Sequence, residues 1–172
     1  MEQRFIVDAN VGKLAKWLRM MGYDTLFFNG TDDGIMVKLA LEQGRTVITR
    51  DTEFMKRRAV SSGRVSALLI SGDEPAAQMK SAIAKLGLNK GYRPFTRCLE
   101  CNAELCHRDK NEVAGAVPER VYSLQEQYMQ CPSCGRIYWR GTHWVAMNRK
   151  LDELGEHSQR TSRGETDESR NF

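Results

Sequence analysis

The spacing of the cysteines is the feature that most constrains how this chain can fold. All five lie in the second half of the sequence, in the pattern Cys98-x2-Cys101, Cys106 and Cys131-x2-Cys134. Each CxxC pair is a tight turn that places two thiolates on one ion, and two such turns complete a tetrahedral site. The spacing therefore predicts a closed, structural zinc site with four ligands: Cys98, Cys101, Cys131 and Cys134.

The segment around these cysteines, residues 97–147, is predicted to be a small zinc ribbon. It contains few aliphatic residues, so we expect the metal to contribute much of its stability. Cys106 falls outside the pattern, and we expect it to be a small buried thiol. Near the end, "GRIYWRGTHW" alternates aromatic and basic residues; Trp139 and Trp144 are expected to pack inside, whereas Arg140 and His143 are candidates for RNA contact.

The cysteine-free part, residues 1–92, alternates short apolar runs with helical periods in the order βαβαβ and then βα. "FIVD", "DTLFF", "TVITRD" and "VSALLIS" are the predicted strands. Asn10 is a candidate cap for the first helix. This alternation predicts an α/β domain with a mostly parallel sheet flanked by helices. Residues 151–172 lack an apolar period and are predicted to be a disordered polar tail.

The charge is unevenly distributed. The chain has a net charge of +4, with three basic and six acidic residues in 151–172, which leaves 23 basic and 16 acidic residues in 1–150. A basic body suits a polyanion such as RNA, although a merely solubilising surface would look similar. No apolar run is long enough to span a membrane. With no signal peptide evident at the N-terminus, we expect a cytoplasmic protein.

Acidic residues follow the predicted strands where each strand ends. Asp8 follows the first strand and Asp51 the third, while Asp32 and Asp33 begin the second helix. Ligands of parallel sheets bind at the carboxyl ends of the strands, so these carboxylates are expected to converge and to need a hard cation such as Mg²⁺ or Mn²⁺. Each acid taken alone is more often a helix cap or a turn residue than a metal ligand, but Asp8 and Asp51 both directly follow apolar strands.

Two further acids are weaker candidates, and several basic residues lie near the predicted site. Glu53 and Asp73 are the additional acids. A cation held by carboxylates can orient and activate water and offset charge on a phosphate, so the site suits phosphodiester hydrolysis. The residues expected to hold the rest of the polyanion are Lys13, Lys16, Arg19, Arg50, Lys56, Arg57 and Arg58.

Three segments together resemble a known family. "FIVDANVGKLAKWLRMMGYDT", "TDDGIMVKLALEQGRTVITRDTEF" and "CLECNAEL…CPSCGRIYWRGTHW" are similar to the Mut-seven C-terminal RNase family, over about residues 4–147. The resemblance implies a PIN-like nuclease domain followed by a zinc ribbon, and metal-dependent RNA cleavage that leaves 5′-phosphate and 3′-hydroxyl ends. It places the family's acids on Asp8, Asp33 and Asp51.

The main hypothesis is therefore a metal-dependent ribonuclease. One alternative is a non-catalytic module that binds RNA, the ribosome or a protein partner and uses the acids only structurally. Another is a toxin-like PIN nuclease that a partner silences. The sequence identifies neither the RNA nor the oligomeric state, and it does not separate endonuclease from exonuclease action.

Overall fold

The computed structural model describes residues 2–89 and 92–161, with side chains described as far as Glu153. Its centre is a four-stranded sheet with the order β2-β1-β3-β4, in which each neighbouring pair is parallel. The strands are β1 (Arg4–Asp8), β2 (Asp24–Phe28), β3 (Thr46–Thr49) and β4 (Ala67–Leu69). The α/β class predicted from the alternation is confirmed.

Helices cover both faces of this sheet. They are α1 (Lys13–Met20), α2 (Asp33–Gln43), α3 (Thr52–Lys56), α4 (Arg58–Ser61) and α5 (Pro75–Leu86). Within β1, Phe5 and Val7 pack in the cluster that contains residues of α1 and α5, whereas Ile6 packs in the cluster that contains residues of α2 and α3. A strand buried on both faces must be apolar throughout, which explains the unbroken runs in the sequence.

The helix ends follow local rules where side chains can supply caps. Asp32 caps α2 and Asp51 caps α3, each accepting a hydrogen bond from a backbone N–H two residues on. Gly44 and Gly87 end α2 and α5 in the left-handed conformation. Asn10 is not the cap of α1, contrary to the expectation. It lies in a 3₁₀ turn, Ala9–Val11, and its side chain is used at the sheet edge instead.

The cysteine module forms a second, antiparallel sheet. Its strands β5 (Cys106–Arg108), β6 (Tyr128–Gln130) and β7 (Ile137–Trp139) pair in chain order. The short helix α6 (Glu119–Leu124) lies between β5 and β6 in the chain. Cys106 is exposed rather than buried, because it begins the edge strand β5. The prediction that Cys106 is a small buried thiol is therefore wrong.

A final helix, α7 (Thr142–Thr161), returns from the module to the α/β core and packs on α5. Leu151 of this helix is only 2% exposed and belongs to the cluster around Phe5. The helix therefore runs into the segment in which the sequence predicts a polar tail, and residues 162–172 lie outside the described residues. No helix in the described part of the chain is long and apolar enough to cross a membrane.

Candidate active site and metal centre

Two of the predicted acids meet at the carboxyl edge of the sheet. Asp8 ends β1 and Asp51 follows the neighbouring strand β3, and Thr49 connects them. The Thr49 hydroxyl donates to Asp8 Oδ2 at 2.6 Å and accepts from the Asp51 backbone N–H at 3.0 Å. Because Thr49 is fully buried, its rotamer is fixed by packing, and so is the orientation that it imposes on Asp8.

Asn10 is a second residue that positions Asp8. Its side-chain N–H donates to Asp8 Oδ2 at 2.7 Å, while its side-chain carbonyl accepts from the Arg50 backbone N–H at 3.0 Å. The amide therefore joins the turn after β1 to the turn after β3. Sequence reasoning missed both Asn10 and Thr49, because their roles depend on the register between two strands that are about forty residues apart.

Asp33 lies in the first turn of α2, next to its capping residue Asp32. Asp32 Oδ1 accepts from the Gly34 N–H, so this carboxylate serves the helix. Asp33 Oδ2 accepts two hydrogen bonds from the Arg57 guanidinium, at 3.1 and 2.8 Å. Arg57, predicted to contact RNA, thus holds one of the predicted metal-binding acids.

The two additional acids have other partners at the surface. Glu53 pairs with Lys56 three residues later at 2.6 Å. Asp73 pairs with Arg50 at 2.6 Å, and its side chain is 89% exposed. Neither contact involves Asp8 or Asp51, so the structure gives these acids no part in the hydrogen-bond network around Thr49.

Each of the three acids keeps one carboxylate oxygen that accepts no hydrogen bond from the described residues. Among the described residues, the hydrogen bonds to these carboxylates fall on a single oxygen of each, Oδ2 of Asp8, Oδ1 of Asp51 and Oδ2 of Asp33. One oxygen of each is left for a ligand, and oxygen is the donor that Mg²⁺ prefers. Their oxygens do not form a compact three-ligand group in this conformation, since within the described residues only the cysteines do.

The basic residues predicted to bind RNA fall into different environments. Lys13 and Arg50 line a cavity of about 350 Å³ beside the sheet edge. Arg58 is exposed on α4, while Lys16 pairs with Glu100 of the cysteine module at 2.7 Å. Arg19 is only 5% exposed and its guanidinium points into the protein, so we leave it out of the proposed RNA surface.

The four predicted zinc ligands converge. The sulfur atoms of Cys98, Cys101, Cys131 and Cys134 all lie within 4.8 Å of one another. Cys98 Sγ is 3.6 Å from Cys134 Sγ, and Cys101 Sγ is 3.3 Å from Cys131 Sγ. Tetrahedral zinc with bonds of about 2.3 Å needs sulfur atoms about 3.8 Å apart. The sulfur separations, from 3.3 Å to at most 4.8 Å, lie around this value, so the group could hold zinc.

The surroundings of Cys98, one member of this group, favour its thiolate. Burial raises the pKa of Cys98, but hydrogen bonds from the Tyr138 hydroxyl and from the backbone of Cys101 and Glu100 lower it to about 6. Burial, together with the hydrogen bond to Cys98, raises the pKa of Tyr138, so the phenol keeps its proton and remains a donor. A thiolate is the form that binds metal.

The first cysteine turn is attached to the α/β domain by buried polar contacts. Arg19 donates to the backbone carbonyls of Leu99, Glu100 and Thr25 at 2.8 to 2.9 Å. Asn102, just after the turn, accepts from the Thr25 N–H and donates to Asp24. These hydrogen bonds therefore hold the first cysteine turn against strand β2.

The aromatic segment after the second cysteine pair packs mainly inward. Trp139 and Trp144 line a cavity of about 340 Å³ that shares no residue with the one beside the acids. Arg140 lies over the rings of Phe95 and Trp144, at 5.6 and 5.2 Å. Arg140 and His143 are both exposed, and nothing joins His143 to the acids.

The fold and these two sites define a two-part protein: a parallel α/β domain with acids and cations at its strand ends, and a small antiparallel module built on four cysteines. The sequence matches the model of the family described as the Mut7-C RNAse domain over residues 3–151, so the chain belongs to that family. The comparisons with curated proteins and with solved structures gave no match.

Proposed function

We propose that this protein is a metal-dependent ribonuclease. Asp8, Asp33 and Asp51 would hold Mg²⁺ or Mn²⁺ at the carboxyl edge of the sheet, and RNA would be cut to leave 5′-phosphate and 3′-hydroxyl ends. The observation that carries the proposal is the hydrogen-bond pair of Thr49, which fixes Asp8 relative to the turn that carries Asp51. Membership of the RNase family supports the same class of reaction.

The protein's own residues would orient the reactants. Thr49 and Asn10 hold Asp8 with one oxygen directed away from its hydrogen-bond partners, and Arg57 does the same for Asp33. A divalent ion bound there would activate water and offset charge on the phosphate. Lys13 and Arg50, on the adjoining cavity, would hold a neighbouring phosphate. Arg58, Arg140 and His143, all exposed, remain candidates for contacts farther along the RNA.

Zinc in the cysteine module would act structurally. With four thiolate ligands the ion has no open position for a substrate. Hydrogen bonds of Arg19 and Asn102 link the first cysteine turn to β2, the strand next to β1. A metal that rigidifies this turn would therefore also stabilise the strands beside the acids. Free, paired CxxC thiols suit a reducing compartment, which supports a cytoplasmic location.

A non-catalytic RNA- or ribosome-binding module remains the second candidate. It is favoured by the ion pair between Asp33 and Arg57, which engages one predicted ligand, and by the absence of a compact carboxylate group among the described residues. This candidate predicts RNA binding that needs neither Mg²⁺ nor the acids.

The test is a cleavage assay on labelled RNA with Mg²⁺ or Mn²⁺ added or omitted. It compares the wild type with Asp8→Asn and Asp51→Asn, and with Glu42→Gln as a matched control at an exposed acid in the last turn of α2. Folding and zinc content are checked in each protein. We expect cleavage that depends on the added ion, is lost in the first two variants and persists in the third. RNA binding without cleavage, equal in all four proteins, would establish the second candidate instead.

A further inference from the structure

Phe27 is an exposed aromatic residue at the edge of the candidate site. It lies one residue before the end of β2, in register with Val7, and Asp8 follows Val7 at the carboxyl end of β1. Its side chain is 44% exposed. The other exposed large hydrophobic residues in the described part of the chain are aliphatic and lie on helices: Ile35, Leu41, Leu124 and Val145.

The ring of Phe27 lies against Gly12, one of the residues that line the cavity beside the acids. A Cβ built on Gly12 would lie 2.7 Å from Phe27 Cε2, so the missing side chain at Gly12 makes room for the ring. Gly12 itself lines the cavity of about 350 Å³, together with Asn10, Lys13 and Arg50. The exposed ring therefore packs on the same turn that, with Lys13 and Arg50, lines the cavity, beside Asn10, which positions Asp8.

This combination matches the chemistry of a single nucleic-acid strand. Bases stack on exposed aromatic rings whatever their sequence, while lysine and arginine hold the backbone phosphates. Inside a duplex both faces of every base are already stacked on neighbouring pairs, so a base that stacks on Phe27 within the strand has to be unpaired.

We infer that Phe27 stacks on an unpaired base of the RNA, with the adjoining phosphate in the cavity at Lys13 and Arg50. The inference rests on the proposed function and makes it more specific: the substrate is single-stranded at the site of cleavage. Phe27 is a positioning residue, because it holds a base and touches neither the acids nor the reacting phosphate.

The binding test uses single-stranded RNA that carries the fluorescent base 2-aminopurine. Four full-length proteins are compared in the Asp8→Asn background, so that the RNA stays intact: no further change, Phe27→Ala, Phe27→Trp and Leu124→Ala. Leu124 is 67% exposed on α6 and serves as the matched control. We expect Phe27→Ala to weaken the Kd by about 5- to 150-fold and to abolish quenching of the base. Phe27→Trp and Leu124→Ala should retain both.

A second measurement separates this inference from the proposed function. Cleavage of single-stranded and blunt duplex RNA is followed with Phe27 changed in the otherwise native chain. We expect Phe27→Ala to raise KM for the single strand, and the wild type to act poorly on the duplex. Wild-type cleavage with unchanged binding in Phe27→Ala would overturn the stacking role and leave the ribonuclease proposal standing. If quenching depends on Phe27 but the wild type cleaves no RNA, the stacking role would stand and the ribonuclease proposal would be overturned.

Discussion

The Thr49 hydroxyl lies 2.6 Å from Asp8 Oδ2, and this contact joins the ends of two neighbouring parallel strands. The Thr49 hydroxyl oxygen also accepts a hydrogen bond from the Asp51 backbone N–H and a longer one from the Asn10 side-chain amide. One buried side chain thus sets the geometry of two acids that are 43 positions apart in the chain.

Thr49→Val should impair cleavage without unfolding the protein. Valine keeps the shape of threonine but cannot donate to Asp8, so the carboxylate loses its fixed orientation. Residues that orient a ligand typically affect metal affinity or activity about 10- to 100-fold. We expect a loss of that size in kcat/KM, measured with titration of Mg²⁺, and partial rescue in Thr49→Ser. Unchanged activity in Thr49→Val would mean that the acids are not used as proposed.

Arg19→Met should separate the cysteine module from the α/β domain. The change removes donors to three backbone carbonyls, and hydrogen bonds to charged groups contribute about 1.5–3 kcal/mol each, net of the bonds to water that they replace. Contributions of bonds that share one side chain are not additive, and we expect the free energy of unfolding in urea to fall by about 3 kcal/mol. Lys16→Met is the matched control, because its ion pair with Glu100 is at the surface and contributes at most about 1 kcal/mol. Equal losses in the two variants would contradict the assigned role of Arg19.

Removing a thiolate ligand should unfold the module. Cys98→Ser is expected to lose stoichiometric zinc and to change the emission of the nearby Trp139 and Trp144. Cys106→Ser should keep both, because Cys106 is exposed and outside the metal-binding group. Zinc content by mass spectrometry and fluorescence provide the readout. Full zinc content in Cys98→Ser would show that the metal is held by other residues.

The buried pair of Asp24 and Arg45 should make stability depend on pH at the acidic end. Burial would raise the pKa of Asp24, but hydrogen bonds from Arg45 and Asn102 hold it below its usual value. A lowered pKa stabilises the folded state above the unfolded value of about 3.9, and the stabilisation is lost as the pH falls through the folded pKa.

Asp24→Asn is the variant that tests this pair. It leaves Arg45, which is 8% exposed, without its countercharge, and we expect a loss of about 3 kcal/mol at pH 7. The difference from the wild type should narrow as the pH falls below about 4, because the Asp24 carboxyl then takes up a proton in the unfolded chain before it does in the folded protein, and this lowers the stability of the wild type. Urea unfolding of the wild type and Asp24→Asn, at pH 7 and below about pH 4, measures this difference in the free energy of unfolding. If the difference does not change with pH, a charge effect of Asp24 is excluded.

The sequence was sufficient for features that depend on local pattern. The alternation of short apolar runs with helical periods predicted a mostly parallel sheet flanked by helices, as the structure confirms. The four cysteines that come together and could hold a metal were identified from spacing alone, since a CxxC turn brings its two sulfurs together whatever surrounds it. The acids Asp8 and Asp51 were placed at the sheet edge for the same kind of reason: each directly follows a strand.

The sequence alone determined which residues end the strands and which cysteines meet, because strand length and turn spacing are encoded within a few neighbouring residues. Only the tertiary structure decided what those residues contact. Asn10 could have been a helix cap, and Arg19 belongs to a helix with an exposed basic side. Strand register places Asn10 and Thr49 against Asp8, and docking of the cysteine module buries Arg19, because both contacts join segments that only folding brings together.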